Sequence, residues 1–148
     1  MKYDIAKLKS CVLFKNVQEE KISEILQGID PSVKTYNKNQ SIALEGDKCT
    51  SIGIVIEGEV EIQKIFLSGK NMVVSTLEAG DIFGEVIVFS KMGMYPSTIT
   101  ASTNSKILFI NKNDIVKICS SSNEVLNNFM ELLSNKILML NKKIKNLS

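Results

Sequence analysis

The segment best suited to chemistry is Ile82-Phe83 followed by Gly84, Glu85 and the apolar run Val86-Ile87-Val88-Phe89. Gly84 would let the backbone approach a bound molecule closely. A short helix opening at Glu85 would turn unpaired N–H groups toward an anion, and the Glu85 carboxylate would accept hydrogen bonds from a sugar hydroxyl. The same spacing also describes a plain turn, with an acid at the positive end of a helix dipole.

What the chain lacks narrows the chemistry further. It contains no His, and all 18 basic side chains are Lys, so there is no Arg anywhere. Without His, neither a Ser-His-Asp or Cys-His nucleophile nor a His-ligated zinc, iron or haem site can be assembled. No metal site is expected, and an enzyme is not. Cupin-like barrel enzymes share the strand pattern but need His-rich metal sites. Without Arg, an anion must be held by backbone N–H groups, hydroxyls or the point charge of a Lys. The three cysteines, Cys11, Cys49 and Cys119, are widely spaced and form no CxxC, so they read as reduced thiols rather than a disulfide framework or cluster site.

These residues must be positioned by one ordinary domain. At 148 residues the chain can bury a real core without disulfide or metal staples, and its formal net charge of +2 is too small to suggest nucleic-acid binding by itself. The polar N-terminus has no signal-peptide core, and no run approaches a membrane span, so a cytoplasmic location without membrane contact is expected.

Two short helices are expected before Asp30-Pro31, with Ile5, Leu8, Val17, Ile22, Ile25, Leu26 and Ile29 near helical spacing. Eight short alternating runs follow: Val33 to Tyr36, Ser41 to Leu44, Ile52 to Ile56, Val60 to Phe66, Met72 to Leu77, Ile82 to Phe83, Thr98 to Ala101 and Ile107 to Ile110. Gly46, Gly58, Gly69 and Gly80 fall at the corners between them. The fold class predicted is mainly β with flanking α, a double-stranded β-roll or jelly roll plus a long C-terminal helix.

That last helix is the most legible element. A short helix is expected over Asp114 to Cys119, and Ser121-Ser122-Asn123-Glu124 supplies caps and an early acid for the long one. Leu126, Met130, Leu133, Ile137, Leu140, Ile144 and Leu147 are spaced 4, 3, 4, 3, 4, 3, an uninterrupted heptad seam. Val125, Phe129, Leu132 and Met139 make a second apolar stripe. One stripe can cover the roll and leave the seam to form a homodimer; a core helix with a wide apolar face is the alternative.

This order of elements resembles the sensor half of the Crp/Fnr family of bacterial transcription regulators, over essentially the whole chain. Gly46-Asp47, Ile56-Glu57-Gly58-Glu59-Val60, Gly80-Asp81-Ile82-Phe83-Gly84-Glu85, Pro96-Ser97-Thr98 and Ala101 carry the resemblance. It implies N-terminal helices over 1–30, a cyclic-nucleotide-binding-like roll over 31–111, and a dimerisation helix within 112–148. It also implies a helix-turn-helix beyond residue 148, through which alone DNA would be bound.

In the cyclic-AMP-binding members, an Arg followed by Ser or Thr holds the cyclic phosphate and the Glu of the GE pair holds the ribose. Counting from Glu85, those places fall on Tyr95 and Pro96, and Lys91 in the preceding loop would supply only a point charge. Loss of the fork removes roughly 1.5–3 kcal/mol of charge-assisted contact. Cyclic AMP is therefore disfavoured as the ligand, and no cofactor is assigned. Iron–sulfur sensing is unsupported by the lone N-terminal Cys11.

The reading that results is an effector-sensing and dimerisation domain of a Crp/Fnr-like regulator. Gly84, Glu85, Val86, Ser97, Thr98 and Asn141 are expected around a small-molecule effector, with Leu140 nearby, and the Leu126 to Leu147 seam between two protomers. The alternative is a stand-alone cyclic-nucleotide-binding module acting on a partner protein.

Overall fold

A computed structural model of the chain describes residues 3–147, the side chain of Leu147 excepted. The N-terminal region forms α1 (Ile5–Leu8), a 3₁₀ turn (Val12–Phe14) and α2 (Glu19–Gln27). The 3₁₀ turn occupies the break between the two expected helices. The roll is built from β1 (Ser32–Tyr36), β2 (Ser41–Ala43), β3 (Ser51–Glu57), β4 (Val60–Ile65), β5 (Asn71–Leu77), β6 (Ile82–Phe83), β7 (Thr98–Ala101) and β8 (Ser105–Asn111). Helices α3 (Lys112–Ser121) and α4 (Asn123–Leu147) complete it. Every predicted strand is present, with ends shifted by at most two residues.

The strands form two four-stranded antiparallel sheets, β1-β8-β3-β6 and β2-β7-β4-β5. The β-branched run Ile52-Gly53-Ile54-Val55-Ile56 of β3 is buried on both faces, as a central strand should be. Gly53 leaves space for the Phe83 ring, whose Cζ would lie 2.1 Å from a Cβ at that position. The edge strand β5 is largely exposed. The four corner glycines all have positive φ, as the turn reading requires.

Each helix is fixed by a recognisable local device. In α2, Ile22, Ile25 and Leu26 share the buried face, with Glu19 and Glu20 in the first turn. Asn111 caps α3 by accepting from the Asp114 N–H at 2.8 Å. The Ser122 hydroxyl caps α4 by accepting from the Val125 N–H at 3.3 Å.

Along α4 the two stripes have different fates. Val125 and Phe129 are buried and Leu132 is half-buried, with the Phe129 ring edge-on to Phe89 at 6.0 Å. The Asn128 amide donates to the carbonyls of Leu13 and Lys15 at 2.9 and 2.8 Å, tying the helix to the N-terminal region. Beyond Lys136 the helix leaves the roll, and residues 137–146 are all exposed. Met139, expected with the covered stripe, is 59% exposed for this reason.

One local expectation is corrected. The segment after Gly84 forms hydrogen-bonded turns, not a helix: the N–H groups of Ile87 and Val88 donate to the Gly84 carbonyl at 3.1 and 2.9 Å, and Ser90 N–H to Ile87 at 2.9 Å. Three consecutive β-branched residues, Val86-Ile87-Val88, disfavour propagation of a helix past this first turn.

Two consequences are measurable. Gly58 has φ +91°, and a Cβ there would lie 2.4 Å from the Asn104 carbonyl oxygen. Gly58→Ala should therefore cost roughly 1–3 kcal/mol, read from the urea midpoint. Burial pushes the Cys11 thiol up from 9.0 to about 12. The folded chain holds that proton where the unfolded chain releases it, so this contribution is complete below pH 9 and is lost as pH climbs toward 12. Melting temperatures measured upward from about pH 8 should fall more steeply for the native chain than for Cys11→Ala.

Candidate functional site

Gly84 sets the site. Its φ is +85°, and an added Cβ would fall 3.0 Å from the Ser51 carbonyl oxygen and 3.4 Å from the Cys49 sulfur. Glycine at this point turns the chain so that the next side chain points inward. Glu85 is 2% exposed.

A carboxylate cannot be buried in that way without a counter-ion or hydrogen bonds. Lys136, reaching in from α4, forms an ion pair with Glu85 Oε1. Its ammonium also donates to the Ile82 carbonyl at 3.5 Å. The second carboxylate oxygen, Oε2, is buried and accepts no hydrogen bond. It is the sole buried side-chain polar atom without a partner among the described residues.

Glu85 borders a cavity of about 200 Å³ between the two sheets and α4. Ile62 and Ile99, directly opposed in the β4–β7 register, contribute apolar wall. Phe83, Tyr95 and Pro96 add more, and Ser97 contributes a hydroxyl-bearing residue. On its other side Glu85 also borders a groove of about 660 Å³ beside the α4 seam, where Leu126, Met130, Leu133 and Ile137 meet Phe89 and Ile115.

The structure brings Gly84, Glu85, Val86 and Ser97 together around the cavity. Thr98 is buried on β7 but is not in the lining; its hydroxyl accepts from the Glu45 N–H at 3.2 Å. Asn141 and Leu140 are exposed and lie outside the lining. Asn141 sits five residues past Lys136, which places it about 7.5 Å along the helix and about 140° around it. Lys91 faces a separate cleft with Lys48 and Lys112, so it brings no charge to the cavity.

Of the seam, Leu126 and Leu133 are half-buried, while Met130, Ile137, Leu140 and Ile144 are exposed. The side chain of Leu147, the last seam position, lies outside the described residues.

Tyr95 occupies the place where a cationic fork was sought. Its backbone is clamped to the Glu45–Asp47 turn, its N–H donating to Asp47 at 2.9 Å and its carbonyl accepting from Gly46 at 2.9 Å. Tyr95 lines the cavity, with its phenol interacting with the Cys49 side chain. Burial above all, with that interaction, pushes the phenol well above its usual range, so Tyr95 is a neutral wall. Burial likewise raises Cys49. The cysteines are free, with Cys11 and Cys49 buried. No group of three or more His, Cys, Asp or Glu that could hold a metal is found among the described residues. Nor is any helix there long and apolar enough to cross a membrane.

The residue that sequence reasoning missed is Lys136. In sequence it is one Lys between the seam residues Leu133 and Ile137, with no motif around it. Only its position where the helix leaves the roll makes it the partner of Glu85.

A two-sheet roll with a glycine-turned buried glutamate at a small cavity, bonded to a long helix with a bare apolar seam, defines a ligand-binding sensor module. The family model described as "Cyclic nucleotide-binding domain" matches residues 33–122. The chain belongs to the cyclic nucleotide-binding domain family, in the form found in Crp/Fnr-type transcription regulators.

Among curated proteins it is 25% identical over 124 residues to the anaerobic regulatory protein of Bacillus subtilis, covering 84% of this chain and 52% of that protein. It is 33% identical over 60 residues to the cAMP-activated global transcriptional regulator Vfr of Pseudomonas aeruginosa, covering 40% of this chain and 28% of Vfr. The chain thus spans about half the length, or less, of these relatives. In fold it is similar to the catabolite activator protein of Thermus thermophilus, at TM-score 0.80 and 20% identity over 92% of this chain and 62% of that one. It is also similar to the sensor domain of the regulator DNR of Pseudomonas aeruginosa, at TM-score 0.75 and 17% identity over 95% and 90%.

The Glu85–Lys136 pair is open to a direct test. Lys136→Met should destabilise the fold by about 1–3 kcal/mol, because it strands a buried carboxylate. Adding Glu85→Gln should recover most of that loss, giving a clearly non-zero coupling in a double-mutant cycle by urea denaturation.

Proposed function

We propose that the chain is the effector-sensing and dimerisation domain of a Crp/Fnr-type transcription regulator, with an effector other than cyclic AMP. The observation that carries this reading is the ion pair joining Glu85, on the cavity wall, to Lys136 on α4. A ligand that bonds to Glu85 changes the electrostatic surroundings of Lys136, and hence the helix whose seam begins on the groove beside it. The chemistry of the cavity and the packing of α4 are linked through one side-chain contact.

The seam supports the second half of the proposal. Ile137, Leu140 and Ile144 keep heptad spacing on a helix segment whose described side chains are exposed. Such a stripe is the geometry of a coiled-coil partner face. A second copy supplies a matching seam, and burying each such side chain contributes about 1.5–3 kcal/mol.

Sensing then follows as a population shift. A hydrogen bond to a buried charged group is worth about 1.5–3 kcal/mol, enough to bias two packings of the helix pair by roughly ten- to a hundredfold. In a complete regulator that bias would set the spacing of two attached DNA-reading modules. Against cyclic AMP stand the absence of Arg and the neutral Tyr95 in the place of the phosphate-holding residue.

Ile137→Lys is expected to convert dimers to monomers in light scattering, weakening association by at least about a hundredfold. The roll should keep its melting temperature, since Ile137 is 62% exposed. A dimer unchanged by this substitution would refute the seam assignment.

A further inference from the structure

Away from the Glu85 cavity, a cleft of about 640 Å³ lies between the turn at 46–50, the loop at 90–94 and the start of α3. Lys48, Lys91 and Lys112 line it, one from each segment, and no Asp or Glu is among its lining residues. We propose that this cleft binds a nucleoside di- or triphosphate, with the phosphates among the three lysines and the base against Met92 and Met94. The site is separate from the Glu85 cavity and stands whether or not that cavity senses an effector.

The charge imbalance is local. Among the described residues lysines meet carboxylates in the ion pairs Lys7–Glu57, Lys15–Glu131, Lys21–Glu24, Lys64–Glu45 and Lys136–Glu85. Lys48, Lys91 and Lys112 belong to none of them. The acids beside these lysines in sequence are engaged elsewhere: Asp47 accepts from the Leu44 N–H at 2.9 Å, and Asp114 from the Asp30 N–H at 3.1 Å and the Asn111 amide at 3.3 Å. Lys112 holds its ammonium 5.6 Å from the Phe89 ring centroid, a contact that leaves its N–H donors open. Like charges around one concave surface repel each other and focus a field that draws in a multivalent anion. A single phosphate group carries about two charges at most, whereas a di- or triphosphate chain can answer all three lysines.

The three segments are tied together by their own backbone. The Cys49 N–H donates to the Gly93 carbonyl at 2.7 Å, the Gly93 N–H to the Ser90 hydroxyl at 3.2 Å and the Lys112 N–H to the Thr50 carbonyl at 3.1 Å. Those donors are spent, so recognition falls mainly to side chains. The Thr50 hydroxyl and the Asn113 amide have no partner among the described residues and can donate to phosphate oxygens. Point charges from several directions suit a bent chain of phosphates better than one planar carboxylate.

The cleft also has an apolar side. Met92 and Met94 are 69% and 44% exposed on it. Their thioethers pack well against the edge of an aromatic ring. The volume lies in the range of about 300–1,000 Å³ usual for small-molecule sites.

The 148-residue chain would be titrated by calorimetry with ATP, ADP, tripolyphosphate, inorganic phosphate and adenosine, at physiological salt and without divalent cations. ATP should bind at least about fivefold more tightly than tripolyphosphate and at least about tenfold more tightly than phosphate or adenosine. Lys48→Met, Lys91→Met and Lys112→Met should each weaken ATP binding at least about fivefold, and Lys38→Met, an exposed lysine outside the cleft, should leave it unchanged. With methyl-labelled methionine, the NMR signals of Met92 and Met94 should shift on adding ATP while those of Met72 and Met139 stay. That readout needs no substitution, so it decides the matter even where a variant fails to fold. Equal weakening by Lys38→Met reduces the effect to diffuse surface charge and overturns the proposal. Tripolyphosphate binding as tightly as ATP, or unshifted Met92 and Met94 signals, removes the base from the cleft and overturns it too. So does ATP binding that Glu85→Gln abolishes and the lysine substitutions leave intact, or no ATP binding at all.

Discussion

The arrangement of this protein depends on a carboxylate that has been taken out of water. Gly84 adopts a backbone conformation that residues with a side chain rarely take, and the chain uses it to turn Glu85 away from solvent. An isolated buried carboxylate is too costly to persist. Lys136 must therefore enter from α4, which fixes where that helix crosses the roll. Phe129 against Phe89 and the Asn128 bonds to Leu13 and Lys15 hold the same helix on either side of that demand. One oxygen of Glu85 is satisfied by the pair. The other is buried without a hydrogen-bond partner.

This constraint explains why the two ends of α4 behave differently. Up to Lys136 the helix is held by apolar contacts, two amide hydrogen bonds and the ion pair. Past it there is no sheet underneath, and the apolar seam runs on into solvent. A helix of 25 residues is thus anchored at one end and exposed at the other. The cavity and the groove share Glu85 as a common wall, so the two regions are neighbours through a single residue.

Tyr95 gives the cavity an uncharged aromatic wall. The backbone at this position is pinned to the Glu45–Asp47 turn whatever side chain it carries. A neutral ring there contributes cavity wall without charge. Among the lining residues the one cation, Lys136, belongs to α4 and is paired with Glu85, so the cavity as a whole is close to electrically neutral.

The strands and the long helix were legible in the sequence because their signals are local. Alternation in runs such as Val60 to Ile65, glycines at the corners and an unbroken heptad each depend on residues a few positions apart. The Gly84-Glu85 pair was likewise visible as a glycine turn carrying an acid. The helix expected after it was not formed, since β-branched residues limited it to turns. Membership of Lys136 in the site, and exclusion of Asn141 and Lys91 from it, could not be read in advance. They follow from the rotation and crossing point of α4 over the segment at Ile82, 54 residues before Lys136 in the chain. By itself the sequence determined the elements, the seam and the missing guanidinium. Only the tertiary structure decided which lysine balances Glu85 and which oxygen remains unbound, because burial and charge pairing depend on distances between segments that sequence proximity does not encode.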